Sequence, residues 1–259
     1  MQQQWADYRV FWREFRRTFH TTGAVLPSGR ALSRALTRYV RDDGEAGEAG
    51  SDFGELSRVA AGNPNAHRRI LEVGPGTGAV TAHIIHDMRP RDRLTLVERN
   101  DQFVARLRER IANDEAFQPI AGRIELIHAG VEQLSEDQPY DLIISGLPLN
   151  NFPLTFVEQI AAKLRRLLAT NGTLSFFEYV AVRKIKALVS RRDERERLTG
   201  IDRLLGDVLR SSEVSRELVL VNIPPAWVHH LRFTVGSKEQ GARSEASGSP
   251  LSAPCSPPS

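Results

Sequence analysis

Between Arg68 and Val180 the sequence alternates short apolar runs with amphipathic helical ones. The apolar runs are "RRILEV", "RLTLVE", "RIELIHA", "YDLIIS" and "GTLSFFEYV"; the helical ones are "GAVTAHIIHDM", "NDQFVARLRERIAND" and "LTFVEQIAAKLRRLLA". Such alternation predicts a parallel, doubly wound sheet with helices on both faces. Two later runs, "SRELVLVNI" and "WVHHLRFTV", flank "PPA" and predict a closing strand pair. The expected architecture is α/β: a mostly parallel, seven-stranded sheet with a final antiparallel strand. At 259 residues and 41% hydrophobic, the chain can build one sizeable core of this kind.

The first strand runs into "ILEVGPGTGA", where Gly74, Gly76 and Gly78 precede a helix. Glycines at a strand–helix junction allow a tight turn and close approach of a ligand to the backbone. The letters fit both the dinucleotide pattern G-x-G-x-x-G/A and the G-x-G-x-G loop of S-adenosylmethionine methyltransferases. Glu72 separates the two readings. A carboxylate near the end of a buried strand needs a cationic partner. S-adenosylmethionine carries an ammonium and a sulfonium, whereas the pyrophosphate of NAD would be repelled. Glu98, at the end of the second strand, is placed to hold ribose hydroxyls. The expectation is therefore a class I methyltransferase, Rossmann-like fold that binds S-adenosylmethionine through Glu72, Gly74, Gly76, Gly78 and Glu98. After the third strand, methyltransferases often carry an acid that accepts from the adenine amine. Here Gly130 takes that place, Val131 is expected to flank the ring, and Glu132 is expected to point elsewhere.

The fourth strand ends in "SGLPLNNFP", Ser145 to Pro153. Methylases of adenine amino groups begin this loop with Asn or Asp and end it with an aromatic ring. Ser145 and Leu149 stand in those places here, so a flat base finds neither acceptor nor stacking platform. An apolar rim containing Leu147 and Pro148 suits an amine on a flexible chain better.

Several segments together resemble the soluble bacterial phospholipid N-methyltransferases. They are "TGAVLPSGRAL" (Thr22 to Leu32), "LEVGPGTGAVT", "SGLPLNNFP", "FFEYV" and "VNIPPAWV" (Val221 to Val228). The resemblance implies S-adenosylmethionine as methyl donor and no metal. It also implies stepwise N-methylation of an aminolipid such as phosphatidylethanolamine or an ornithine lipid. An enzyme of this kind would be cytoplasmic and attached peripherally to the inner face of the membrane, with no nucleic-acid partner.

The rest of the chain is read around that centre. Residues 1–22 form a candidate membrane-surface helix, 23–236 the methyltransferase domain with a glycine-rich acidic insertion at 42–67, and 237–259 a tail expected to be disordered. On a helical wheel Trp5, Tyr8, Phe11, Trp12, Phe15 and Phe19 share an arc roughly 120° wide, beside Arg9, Arg13, Arg16 and Arg17. Aromatics next to arginines suit a helix lying in an anionic lipid interface. Tyr8, Trp12, Phe15 and Arg16 are its contact candidates, and Arg183 to Arg192 form a second basic face. The early arginines interrupt any secretory signal, and no run reaches the ~20 apolar residues of a spanning helix. The single cysteine, Cys255, fits a reducing compartment.

Methyl transfer to nitrogen requires an aligned and deprotonated amine. Tyr179, at the end of the fifth strand, is the expected orienting residue, by its hydroxyl or by cation–π contact. Ser145 is the second catalytic candidate and also borders the cofactor. Glu178 alternates to the opposite face from Tyr179, and Asn222, His20 and Tyr8 are further acceptor-side candidates. Two other readings stay open: a ribosomal RNA adenine dimethylase-like enzyme and a non-catalytic S-adenosylmethionine-binding membrane protein.

Overall fold

A computed structural model describes residues 27–41, 67–149, 152, 154–179, 206, 208–222 and 225–233. The amino-terminal helix, the insertion apart from His67, the second basic face and the carboxyl tail lie outside the described residues. Seven strands form one sheet: β1 (Arg69–Val73), β2 (Arg93–Glu98), β3 (Ile124–His128), β4 (Tyr140–Ser145), β5 (Leu168–Tyr179), β6 (Glu213–Val219) and β7 (Ala226–Arg232). Their order is β3-β2-β1-β4-β5-β7-β6. Strands β1 to β5 are parallel, and β7 runs antiparallel to both β5 and β6. The expected mostly parallel sheet with one antiparallel strand is thus observed. That strand lies between β5 and β6, so β6 points the same way as β5.

Five α-helices are described: α1 (Pro27–Leu36), α2 (Arg38–Arg41), α3 (Ala79–Asp87), α4 (Asp101–Asn113) and α5 (Leu154–Leu167). The central strands read as continuous apolar runs because both of their faces are covered. On one face Ile70, Leu94, Leu96 and Leu142 pack with Leu36, Ile84 and Leu107 from the helices. On the other, Leu71, Val73, Ile143 and Phe176 pack with Val157, Ile160 and Leu164 of α5. Alternation along β1 therefore sends Leu71 and Val73 to the α5 layer and turns Glu72 toward α3. Helix α4 starts where the Asn100 side chain accepts from the Gln102 and Phe103 amides, a cap worth about 1 kcal/mol.

One boundary differs from the sequence expectation. β5 begins at Leu168, directly after α5, rather than at Gly172. The turn-forming letters "ATNG" produce an irregularity within the strand. Pairing shifts between Tyr140↔Leu168 and Leu142↔Thr173, and Asn171 takes φ 63°.

The base of the sheet is locked by a buried ion pair. Arg68 donates from Nε to Asp92 Oδ1 at 3.1 Å and from Nη2 to Oδ2 at 2.6 Å. The same guanidinium donates to the Val40 carbonyl at 2.9 Å, tying α2 to the base of β1 and β2. Removing one partner strands the other in a low-dielectric site. Asp92→Ala is expected to destabilise the protein by about 3–5 kcal/mol, read as a lower urea midpoint.

Candidate active site

The glycine loop is a left-handed backbone that needs its glycines. Gly74, Gly76 and Gly78 take φ 70°, 58° and 83°. Side-chain-bearing residues rarely adopt such angles. The loop is held from three sides. The Gly74 amide donates to the Val97 carbonyl at 3.0 Å, and the Gly146 amide donates to the Val73 carbonyl at 2.9 Å. Arg110 of α4 donates from Nη1 to the Thr77 and Gly78 carbonyls at 3.0 and 2.9 Å. Asp114 steadies that guanidinium through Nε and Nη2, and the Phe117 ring lies under it, 4.5 Å from centroid to Cζ.

Two buried carboxylates stand beside the loop. Glu72 is buried at 1% exposure and accepts from the Thr81 hydroxyl at 2.7 Å. Burial raises its pKa to about 8; the Thr81 bond opposes this and the charge of Glu98 adds to it. Glu98 accepts from the amides of Asn100 and Gly76 at 2.8 and 3.1 Å. Burial pushes its pKa up, against these amide bonds. The Arg99 amide also bonds this carboxylate, and with about four acceptor sites it keeps capacity for a ligand hydroxyl.

A solvent-open cleft of about 320 Å³ lies above β1, β2 and β3. Glu98, Arg99, Gly130, Val131, Glu132 and Phe156 are among its lining residues. The expectation that Glu132 points elsewhere is corrected. Its carboxylate folds back against Gly130, where any side chain at position 130 would overlap both of its oxygens. The absence of a Cβ at Gly130 makes this turn possible. Arg99 Nη1 donates to Glu132 Oε1 at 3.1 Å.

The strand-four loop packs against the glycine loop. A Cβ on Gly146 would come 2.7 Å from the Gly74 carbonyl oxygen, so only glycine fits there. Leu147 lines the cleft and lies against Gly74. Pro148 and Leu149 are buried. Ser145 has 0% exposure, and its hydroxyl accepts from the Leu147 amide at 3.4 Å. It shapes the turn and is not among the residues lining the cleft. Phe152 is buried edge-on against Phe156 at 5.3 Å.

At the end of β5, Tyr179 and Glu178 part as alternation requires. Tyr179 belongs to the α1 layer, 5.2 Å edge-on from Phe177, and burial raises its hydroxyl pKa. Glu178 faces the other layer, 3.7 Å from His229, whose Nδ1 lies 2.6 Å from Glu213. Burial pushes the His229 pKa down, but the two carboxylates outweigh it and the net shift is upward. Asn222 is buried in the β6–β7 turn. Tyr8, Trp12, Phe15, Arg16 and His20 fall outside the described residues. Sequence reasoning missed Thr81, Arg99, Arg110 and the His229 cluster, because these partners meet only through the fold. The described residues include no group of acids, histidines or cysteines that could hold a metal ion.

The glycine cradle, the two carboxylates and the cleft fit S-adenosylmethionine. This is the class I S-adenosylmethionine-dependent methyltransferase fold, with S-adenosylmethionine as its cofactor. Residues 70–172 match the methyltransferase domain family model. The chain is 32% identical over 123 residues to the ornithine lipid N-methyltransferase of Singulisphaera acidiphila, covering 46% of this chain and 63% of that one. It is 28% identical over 126 residues to the ubiquinone/menaquinone biosynthesis C-methyltransferase UbiE of Pseudomonas putida, covering 48% and 45%. The chain thus spans less than two thirds of the length of these relatives. Among solved structures it is similar to the Burkholderia thailandensis 1,6-didemethyltoxoflavin-N1-methyltransferase with bound 1,6-didemethyltoxoflavin and S-adenosylhomocysteine. That likeness has a TM-score of 0.52 and 14% identity, over 88% of this chain and 90% of that one.

The raised pKa of Glu72 makes stability depend on pH. Between its ordinary value of 4.5 and about 8, the folded state holds a proton that the unfolded state has lost. Stability therefore falls as pH rises through that window. His229 acts in the same direction above its ordinary 6.5, so a variant is needed to isolate Glu72. Glu72→Gln is expected to flatten the fall and to raise the melting temperature at pH 8 by several degrees. Parallel melting profiles for the two proteins would refute this.

Proposed function

We propose that this chain N-methylates the primary amine of an aminolipid headgroup. S-adenosylmethionine supplies the methyl group. The reading rests on the strand-four loop. Of the described residues of that loop, apolar Leu147 lines the cleft, while Ser145, Pro148 and Leu149 are buried. At Ser145 and Leu149, the loop positions where adenine methylases carry an Asn or Asp and an aromatic ring, a nucleobase would find neither an amide or carboxylate to receive its amino group nor a ring to stack on. The similarity to an ornithine lipid N-methyltransferase supports the same substrate class.

An exposed apolar turn adds to this reading. Leu220 and Val221 are 68% and 65% exposed at the carboxyl end of β6. Because β6 runs parallel to β5, this turn lies on the sheet edge that also bears the cleft. An apolar pair there can dip into a lipid interface and bring the cleft to its substrate. The amino-terminal segment, whose sequence is expected to form an aromatic–arginine helix, would supply a second contact with an anionic surface. The attachment proposed is peripheral; no described helix is long and apolar enough to cross a membrane.

On this reading Glu72, Glu98 and the three loop glycines hold the cofactor. The apolar loop excludes water from the acceptor. A desolvated amine has a lowered pKa, which favours the neutral form that attacks. Glu178, buried at the end of β5, can take the released proton, with His229 balancing its charge. Tyr179 would instead act from the α1 side of the same strand end.

The test incubates the purified chain with methyl-labelled S-adenosylmethionine and separate acceptors. These are vesicles of ornithine lipid, vesicles of phosphatidylethanolamine, and RNA. Label is expected in lipid, with mass shifts of one or more methyl groups. Label in RNA alone would eliminate the lipid reading. A Leu220→Ser/Val221→Ser double variant is expected to methylate vesicle-borne lipid several-fold more slowly, with unchanged affinity for S-adenosylhomocysteine.

A further inference from the structure

We infer that Glu132 is the acceptor for the exocyclic amine of the cofactor's adenine, and that Gly130 exists to make room for it. The inference rests on S-adenosylmethionine being the cofactor. It replaces the expectation that Gly130 leaves the adenine edge unread.

Three observations carry it. The Glu132 carboxylate occupies the space beside Gly130 that a side chain at position 130 would fill. A carboxylate is thus delivered to that position from two residues further along the chain. Second, Glu132 borders the cleft together with Glu98, Val131 and Phe156. Glu98 ends β2, where a ribose would lie, and the Ala129 amide donates to the Glu98 carbonyl at 3.1 Å. The end of β3 is therefore level with Glu98, and the turn that follows is the next position along the cleft. Third, the turn that carries Glu132 is anchored. The Gly130 amide donates to Gln133 Oε1 at 3.1 Å. Buried Lys163 of α5 donates to the Leu134 carbonyl at 2.6 Å and lies 2.7 Å from Glu136. Arg99 fixes Oε1 of Glu132 itself. A surface glutamate on a free loop would have none of these restraints.

The chemistry of the donor set agrees. An ionised carboxylate accepts and cannot donate, and it has about four acceptor sites. One contact from Arg99 leaves capacity for the two N–H groups of an aromatic amine. A deaminated base presents a carbonyl at the same place, and two acceptors then face each other. Glu132 is thereby a specificity-determining residue for the purine. Val131 and Phe156 supply apolar surface for the ring faces.

Calorimetry on the full chain with S-adenosylhomocysteine and with its deaminated analogue, S-inosylhomocysteine, tests this. The wild-type protein is expected to prefer S-adenosylhomocysteine by about tenfold or more, the size of one charge-assisted hydrogen bond. Glu132→Gln is expected to lose that preference, because its amide can donate to the inosine carbonyl. Glu132 is about one-third exposed, so this variant should keep its fold, checked by its unfolding curve. Gly130→Ala keeps every charge but displaces the carboxylate, and is expected to lose the preference too. Gly130→Asp in the Glu132→Gln background is expected to restore it. An undiminished preference in Glu132→Gln overturns the assignment while leaving the cofactor reading intact. A wild-type protein that binds neither nucleoside overturns the cofactor reading and the assignment with it.

Discussion

The glycine loop and the strand-four loop meet backbone to backbone, and the site takes its shape from that contact. The Gly146 amide donates to the Val73 carbonyl, and the Gly74 carbonyl lies where a Cβ on residue 146 would project. Two chain segments can approach so closely only if both lack side chains at the crossing. The glycine turn and the strand-four rim are therefore packed as one unit. A shift of either loop is transmitted directly to the other, without an intervening flexible side chain. Arg110 completes the unit from α4 by holding the Thr77 and Gly78 carbonyls. On the proposed function, alignment of donor and acceptor is the main thing the catalyst supplies, and this packing would serve it.

Electrostatics add a second layer. Glu72 and Glu98 are buried near each other, and each raises its pKa chiefly through desolvation. Two unpaired carboxylates in such a place are costly to the empty protein. The cost makes sense where a ligand brings positive charge and hydroxyl groups to the same space. Thr81 and the amides of Gly76 and Asn100 satisfy part of the hydrogen-bonding capacity and leave the rest available. The site is thus prepared for a cation brought by a ligand. The opposite arrangement holds at the base of the sheet, where Asp92 is satisfied by Arg68 and has a purely structural role.

The sheet and the cofactor loop were legible because they rest on local patterns. Apolar runs of strand length, a helical period between them and three glycines at one junction are all visible along the chain. β2 and β4 match their apolar runs to the residue. What escaped depends on geometry rather than on letters. β5 starts early because "ATNG", a turn signal in isolation, is absorbed as an irregularity opposite β4. Glu178 and His229 are 51 residues apart and meet only because β7 inserts beside β5. Ser145 carried the right letter for a polar contact, but its hydroxyl serves the Leu147 amide. Glu132 was read from its sequence position as facing away, because an α- or β-period says nothing about a single 3₁₀ turn. Only the three-dimensional overlap with a missing Cβ revealed its direction.

That last case bears on how a departure from a motif should be weighed. A glycine at an expected acidic position reads as a loss when each position is considered alone. Carboxylate function is defined by where the oxygens lie, not by which residue number carries them. A glycine is the one residue that can free the space for a neighbour's side chain to enter. The loss and the replacement are then the same event: Gly130 without Glu132 would leave the purine edge unread, and Glu132 without Gly130 would be pushed out of the cleft. The described residues of the strand-four loop show no such exchange. Leu147, Pro148 and Leu149 bring no polar group, and the fully buried Ser145 turns its hydroxyl onto the chain itself. Among the described residues of that loop, the one that lines the cleft, Leu147, is apolar. On the reading proposed above, that apolar lining suits an acceptor amine carried on a membrane-borne molecule.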